Sequence, residues 1–71
     1  MKPVVCRDLL IHIHPNEEPA GVWWPNATIE DPSTGATSSV SLRRHEHSRV
    51  EAMRQVFYEA RRRILLDTWR N

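Results

Sequence analysis

The sequence predicts an α+β fold: a small antiparallel sheet of two or three strands packed on one long C-terminal helix. Three observations predict it. Residues 4–14 alternate in polarity, "VWWPNATIE" is rich in strand-forming residues, and "SRVE" opens a run with apolar residues at helical spacing. The chain has 71 residues, which allows a single domain spanning residues 1–71.

The first strand is expected over about residues 4–14. Val5, Arg7, Leu9, Ile11 and Ile13 fall on one face, and Leu10, His12 and His14 on the other. Arg7 interrupts the drier face, so Leu9 to Ile13 is its firmest part. "PNEEPAG" follows as a loop, because proline cannot donate to a sheet ladder. The second strand is expected over 22–30, with Trp23, Pro25, Ala27 and Ile29 sharing a face. Pro25 inside this run predicts an edge position or a bulge. In "DPSTGATSS", Asp-Pro starts a turn and Gly35 can take positive φ. A shorter third strand is expected at 37–42.

Ser48 then opens the helix, expected over 49–69. Ser48 and Glu51 have the spacing of a capping box, in which the serine hydroxyl accepts from the Glu51 N–H and Glu51 reaches back. Val50, Met53, Phe57, Ala60 and Ile64 follow at steps of three and four, with Val56 beside them. Glu59 precedes Arg62 and Arg63 in the order that favours helix ion pairs. The connections are short, and parallel pairing needs longer crossovers, so the strands should form a meander.

A chain this short buries only about 60% of the surface that its unfolded form exposes. Extra burial from a second copy or a protein partner is therefore expected. Cys6 is the only cysteine, so no disulfide can form within the chain. A lone thiol predicts a reducing, cytoplasmic setting, with Cys6 a half-buried strand residue. No apolar run approaches the roughly 18 residues of a membrane span, and the start of the chain lacks the pattern of a signal peptide.

One helix covers one sheet face. The other face would carry Leu10, His12, His14 and Trp24. On the helix, Tyr58, Leu65 and Trp69 lie together away from the main stripe, with Leu66 beside them. Exposed apolar groups of this kind mark an interaction surface. The two His-x-His pairs, His12/His14 and His45/His47, would need further ligands to hold zinc, and the chain has neither a cysteine pair nor HExxH. They read as the wet side of a strand and a polar linker, so no metal and no cofactor are expected. The chain has two glycines and no glycine-rich phosphate loop, and nothing in it brings a nucleophile to a base. No enzymatic activity and no small-molecule substrate are expected.

Charge offers a rival to protein binding. Ten Lys and Arg oppose nine Asp and Glu, a formal net charge of +1, yet eight of the ten basic residues follow residue 42. Arginine suits phosphate, so Arg54, Arg61, Arg62 and Arg63 are candidate nucleic-acid contacts.

The order "GVWWPNATIEDPSTG…VSLRRHEHSRVEAMRQ" resembles, over Gly21 to Ala60, the strand–strand–strand–helix plan of plant AP2 domains and integrase arm-binding domains. That resemblance implies DNA contact through basic side chains on the sheet, where this chain offers Arg7 and, at the end of the sheet, Arg43 or Arg44. A broader similarity is to a group of small uncharacterised bacterial proteins. They share Trp23, then Thr28-Ile29-Glu30-Asp31-Pro32, then Glu51-Ala52 and Leu66-Asp67. It implies a bacterial cytosolic origin and no catalytic motif. Together these readings predict a non-enzymatic interaction module that is self-associating or partner-binding, with nucleic-acid binding as the alternative.

Overall fold

A computed structural model describes residues 2–70. Its elements are β1 (Val4–Cys6), β2 (Leu9–Ile13), β3 (Asn16–Glu18), β4 (Val22–Trp24), β5 (Asn26–Glu30), β6 (Thr37–Ser41) and α1 (Arg49–Leu65). The fold is α+β. An antiparallel sheet in the order β1-β2-β5-β6, extended by a β3-β4 ribbon, packs on the one C-terminal helix.

The expected first strand is two strands and a turn. Cys6 pairs with Leu9 across the two-residue turn Arg7-Asp8, and Arg7 takes a φ of 55°. A positive φ at the first turn residue matches the right-handed twist of the flanking strands. The reading of "PNEEPAG" as a loop is also corrected, because Asn16–Glu18 pairs with Val22–Trp24. Only Pro19, Ala20 and Gly21 turn, with Ala20 and Gly21 at φ 71° and 72°.

The pairing explains the two prolines. Ile13 opposes Ala27 in one ladder and Asn16 opposes Trp24 in the other. The two ladders share one register, which puts Pro15 directly opposite Pro25. The hairpin from Leu9 to Glu30 is thus a single long ribbon, divided where neither strand can donate. Pro25 does not lie on an edge strand, and the bulge that borders it is in the facing segment. It is fully buried at the head of the internal strand β5, and its carbonyl still accepts from Leu42 N–H at 3.2 Å. Beyond it, Trp23 and Glu46 exchange backbone bonds of 2.8 and 2.9 Å. This bridge is two residues out of step with the β5–β6 register, in which Asn26 opposes Ser41. Arg43 and Arg44 absorb the difference as a bulge.

The core lies between one sheet face and α1. Leu9, Ile11, Ala27, Ile29 and Val40 face Ala52, Val56, Ala60 and Ile64, all buried. The buried row on α1 therefore runs at steps of four through two alanines; of the expected stripe, Ala60 and Ile64 lie in it with Val56, and Phe57 packs against it. Alanine lets the helix backbone approach the sheet closely, and Val50 is left outside. Ile11, Ile29, Val40 and Val56 are wholly buried, each contributing about 1.5–3 kcal/mol.

Ser48 caps α1 from an extended backbone, accepting from Glu51 N–H at 3.2 Å. Glu51 does not complete the box. Its carboxylate takes Gln55 and Arg54 instead, at 3.4 Å each. The helix also ends earlier than the expected residue 69. Thr68 N–H donates to the Arg63 carbonyl and Asp67 N–H to that of Ile64, with Asp67 at φ 56°. This is a Schellman motif with aspartate at the left-handed position that favours glycine. The reversal swings Trp69 into the core, where it is 3% exposed.

Two substitutions check this packing. Asp67→Gly should stabilise the fold by about 0.5–1 kcal/mol by relieving left-handed strain. Ala60→Leu should cost about 1–3 kcal/mol by overpacking. Urea unfolding of both variants measures these shifts; an Ala60→Leu chain as stable as the parent contradicts close helix–sheet approach.

Candidate interaction surfaces

The candidate residues fall on three surfaces. The uncovered sheet face carries Leu10 and His12 from β2 and His14 just past its end, with Trp24 at the far end on β4. It is less apolar than the expected patch, and its polar groups bond among themselves. His12 Nε2 meets Glu30 Oε1 at 2.8 Å, and His14 Nε2 meets Thr28 Oγ1 at 2.9 Å. Both contacts run diagonally onto β5, since His12 is directly opposite Thr28. Ser41 Oγ–H donates to Asn26 Oδ1 at 2.7 Å, and Asn26 Nδ2 donates to the Trp24 carbonyl at 3.3 Å. Trp24 is half-buried, edge-on to His45 at 5.5 Å, and His45 is edge-on to His47 at 5.4 Å. The indole Nε1 of Trp24 is buried without a hydrogen-bond partner among the described residues. Each His-x-His pair thus has a local use. Among the described residues, no three His, Cys, Asp or Glu side chains are placed to hold a metal ion.

The second surface is the outward face of α1. Tyr58 is 56% exposed and Leu65 41%, whereas Trp69, expected beside them, is in the core. Val50, at 63% exposure, takes its place. Val50, Arg54, Tyr58, Arg61 and Leu65 follow one another at steps of four, four, three and four. At 100° per residue they span about 80° of the helix. They form an exposed stripe in which apolar groups alternate with arginines. A search for helical periods confined to apolar residues passes over it, because arginines occupy two of the five positions.

The four candidate arginines do not act as one cluster. Arg63 Nε lies 2.8 Å from Glu59 Oε2 and Arg62 Nη1 3.5 Å from the same oxygen, both turned off the stripe. Arg54 Nη1 reaches Glu51 at 3.4 Å. Arg61 forms no ion pair among the described residues.

The third surface is a shallow cavity of about 280 Å³ between the β1–β2 turn, the turn after β5 and the C-terminal segment. Arg7, Asp8, Asp31, Ser33, Asp67 and Arg70 supply its polar lining. Asp31 organises one wall. Its Oδ1 accepts from Ser33 Oγ–H at 2.7 Å and Ser33 N–H at 3.0 Å, while its carbonyl accepts from Gly35 N–H at 2.8 Å. Gly35 takes φ 78°, as the turn requires. The two Ser33 bonds hold the Asp31 carboxyl below its ordinary value of 3.8, helped by Arg70 at 3.8 Å; partial burial opposes them. The size of the cavity falls just below the range of small-molecule pockets, about 300–1,000 Å³.

Among the described residues, no helix is long and apolar enough to cross a membrane. Comparison with known protein families, with curated proteins and with solved structures gave no match.

The Asp31 geometry sets a pH dependence. A carboxyl whose folded pKa is lowered stabilises the fold above its unfolded pKa, and that contribution disappears as pH falls through the folded value. Below about pH 4 the parent should therefore lose stability more steeply than Asp31→Asn. Urea midpoints measured at steps down to about pH 2 check this. Parallel curves for the two chains would contradict the assigned role of Asp31.

Proposed function

We propose that this chain is a non-enzymatic protein-interaction module whose docking surface is the outward stripe of α1. The observation that carries this is the exposure of Val50, Tyr58 and Leu65 in one line, on a helix whose opposite side already supplies the core. These side chains lie outside the buried core, and a tyrosine flanked by arginines has the composition of an interface centre. Arg54 and Arg61 define the partner's chemistry. A second copy laid antiparallel on this stripe would set arginine against arginine, whereas an acidic amphipathic segment places carboxylates there and apolar groups against Tyr58 and Leu65. The half-buried single thiol of Cys6 fits a reducing compartment such as the cytosol.

Nucleic-acid binding is the second reading, favoured by the concentration of arginine after residue 42. It makes no use of the three apolar stripe residues. Pairing of Arg54, Arg62 and Arg63 with glutamates lowers the positive charge it would need.

A photo-crosslinking residue placed at Tyr58, and separately at His14, tests the reading inside cells. The expected result is a protein adduct at position 58 that is lost when Arg54→Glu and Arg61→Glu are added, with little adduct at position 14. Nucleic acid in the adduct, or a mobility shift of duplex DNA at low salt that fades as salt rises, would favour the second reading. Each stripe substitution should change stability by no more than about 0.5 kcal/mol.

A further inference from the structure

A separate feature lies at the margin of the sheet. Strand β6 is terminal, with β5 as its only neighbour. The hydrogen bonds that bracket its ladder fix which groups point outward. Asp31 N–H donates to the Ala36 carbonyl at 2.8 Å, and Leu42 N–H to the Pro25 carbonyl at 3.2 Å. Antiparallel pairs alternate between bonded and unbonded. Val40 opposite Ala27 and Ser38 opposite Ile29 are therefore the bonded pairs, so Thr37, Ser39 and Ser41 turn their N–H and C=O groups away from β5. All three residues are exposed, and no hydrogen bond reaches these backbone groups among the described residues.

Proteins protect such edges with short strands, proline, lysine or bulges. The opposite margin is protected: β1 has three residues and follows Pro3. β6 has five residues, "TSSVS", with no proline, charge or bulge within it. The bulge at Arg43-Arg44 lies beyond its end.

We propose that β6 is a self-pairing edge, and that two copies join through it across a two-fold axis centred on Ser39 to form one continuous eight-stranded antiparallel sheet. The outward groups are symmetric about that residue. Ser39 meets Ser39 of the other copy, and Thr37 meets Ser41, so every outward N–H and C=O of the strand is satisfied by its own counterpart. No like charges oppose each other, and the hydroxyls of Thr37, Ser39 and Ser41 become cross-strand neighbours. Continued one turnward step, the register sets Arg43 of each copy beside Gly35 of the other, at the turn that carries the Asp31 carboxylate. An axis perpendicular to the sheet leaves both helices on one side of it, and the interface is isologous. This surface is distinct from the α1 stripe, and neither proposal requires the other.

Ser39→Pro isolates the claim. Its N–H takes no part in the β5 ladder, so proline removes an outward donor while leaving the monomer's own bonds in place. Ser39→Ala keeps the N–H. Sedimentation equilibrium over a dilution series should give twice the 8.3 kDa chain mass for the parent and Ser39→Ala, with association at least tenfold weaker for Ser39→Pro. On a Cys6→Ser background, Ser39→Cys should oxidise to a disulfide-linked dimer, since each thiol faces its own copy, while Ser41→Cys should not. This second measurement decides the matter if the proline variant does not fold. A parent that remains monomeric and a Ser39→Cys chain that links no faster than Ser41→Cys would leave the edge to a foreign strand and overturn the proposal. So would a dimer indifferent to Ser39→Pro.

Discussion

Ile11 and Ile29 stand opposite each other on the two central strands, beneath Val56, Ala60 and Ile64. The rest of the molecule is arranged around that layer. Alanines at 52 and 60 bring the helix close enough for a chain of this size to exclude water from a core one side chain deep. Trp69 closes the far end of the layer. It does so only because the helix stops at Leu65 and the Schellman turn reverses the chain. Arg70 then comes within 3.8 Å of Asp31, tying the C-terminal segment to the turn between β5 and β6. One helix cannot cover two faces, so the opposite side of the sheet stays open. There, histidine, threonine and glutamate bond to one another instead of forming an apolar patch.

The facing prolines divide the long hairpin by function. On one side of Pro15 and Pro25, strands β2 and β5 are internal and anchor the core. On the other, β3 and β4 run on in the same register as a ribbon bearing Glu17 and Glu18, both exposed. The bridge between Trp23 and Glu46 holds the ribbon to the segment entering the helix. Its two-residue offset turns Arg43 and Arg44 outward.

The fold class was legible in the sequence because it depends on period. Alternation over Leu9–Ile13, the β-rich run near Trp24, and the Ser48–Glu51 spacing each report local structure, and each corresponds to an element. What was not legible depends on pairing. Nothing local in "NEE" marks it as a strand; it becomes one because the register of β2 and β5 carries past two prolines. The end of α1 was hidden for a similar reason. Asp67 does not announce a left-handed cap as glycine would, so the helical pattern reads on to Trp69. Tyr58 and Leu65 were visible as surplus apolar groups. Their alignment with Val50 is hidden in the sequence, because Val50 also fits the helical period of the core stripe while the buried row passes through alanines that carry little hydrophobic signal. The outward groups of β6 depend on hydrogen-bond parity, which no residue type encodes.

The central claim is that one apolar layer between the middle strands and one side of α1 holds the whole chain together, with the ribbon and both outer surfaces adding little. Residue-resolved amide hydrogen exchange under native conditions tests this most directly. The account predicts that the slowest amides cluster in β2, β5 and the Ala52–Ile64 part of α1, all opening with the same free energy. Those of the β3–β4 ribbon should exchange well before global unfolding. Ribbon amides as slow as those of β5, or a helix that exchanges independently of the central strands, would contradict it.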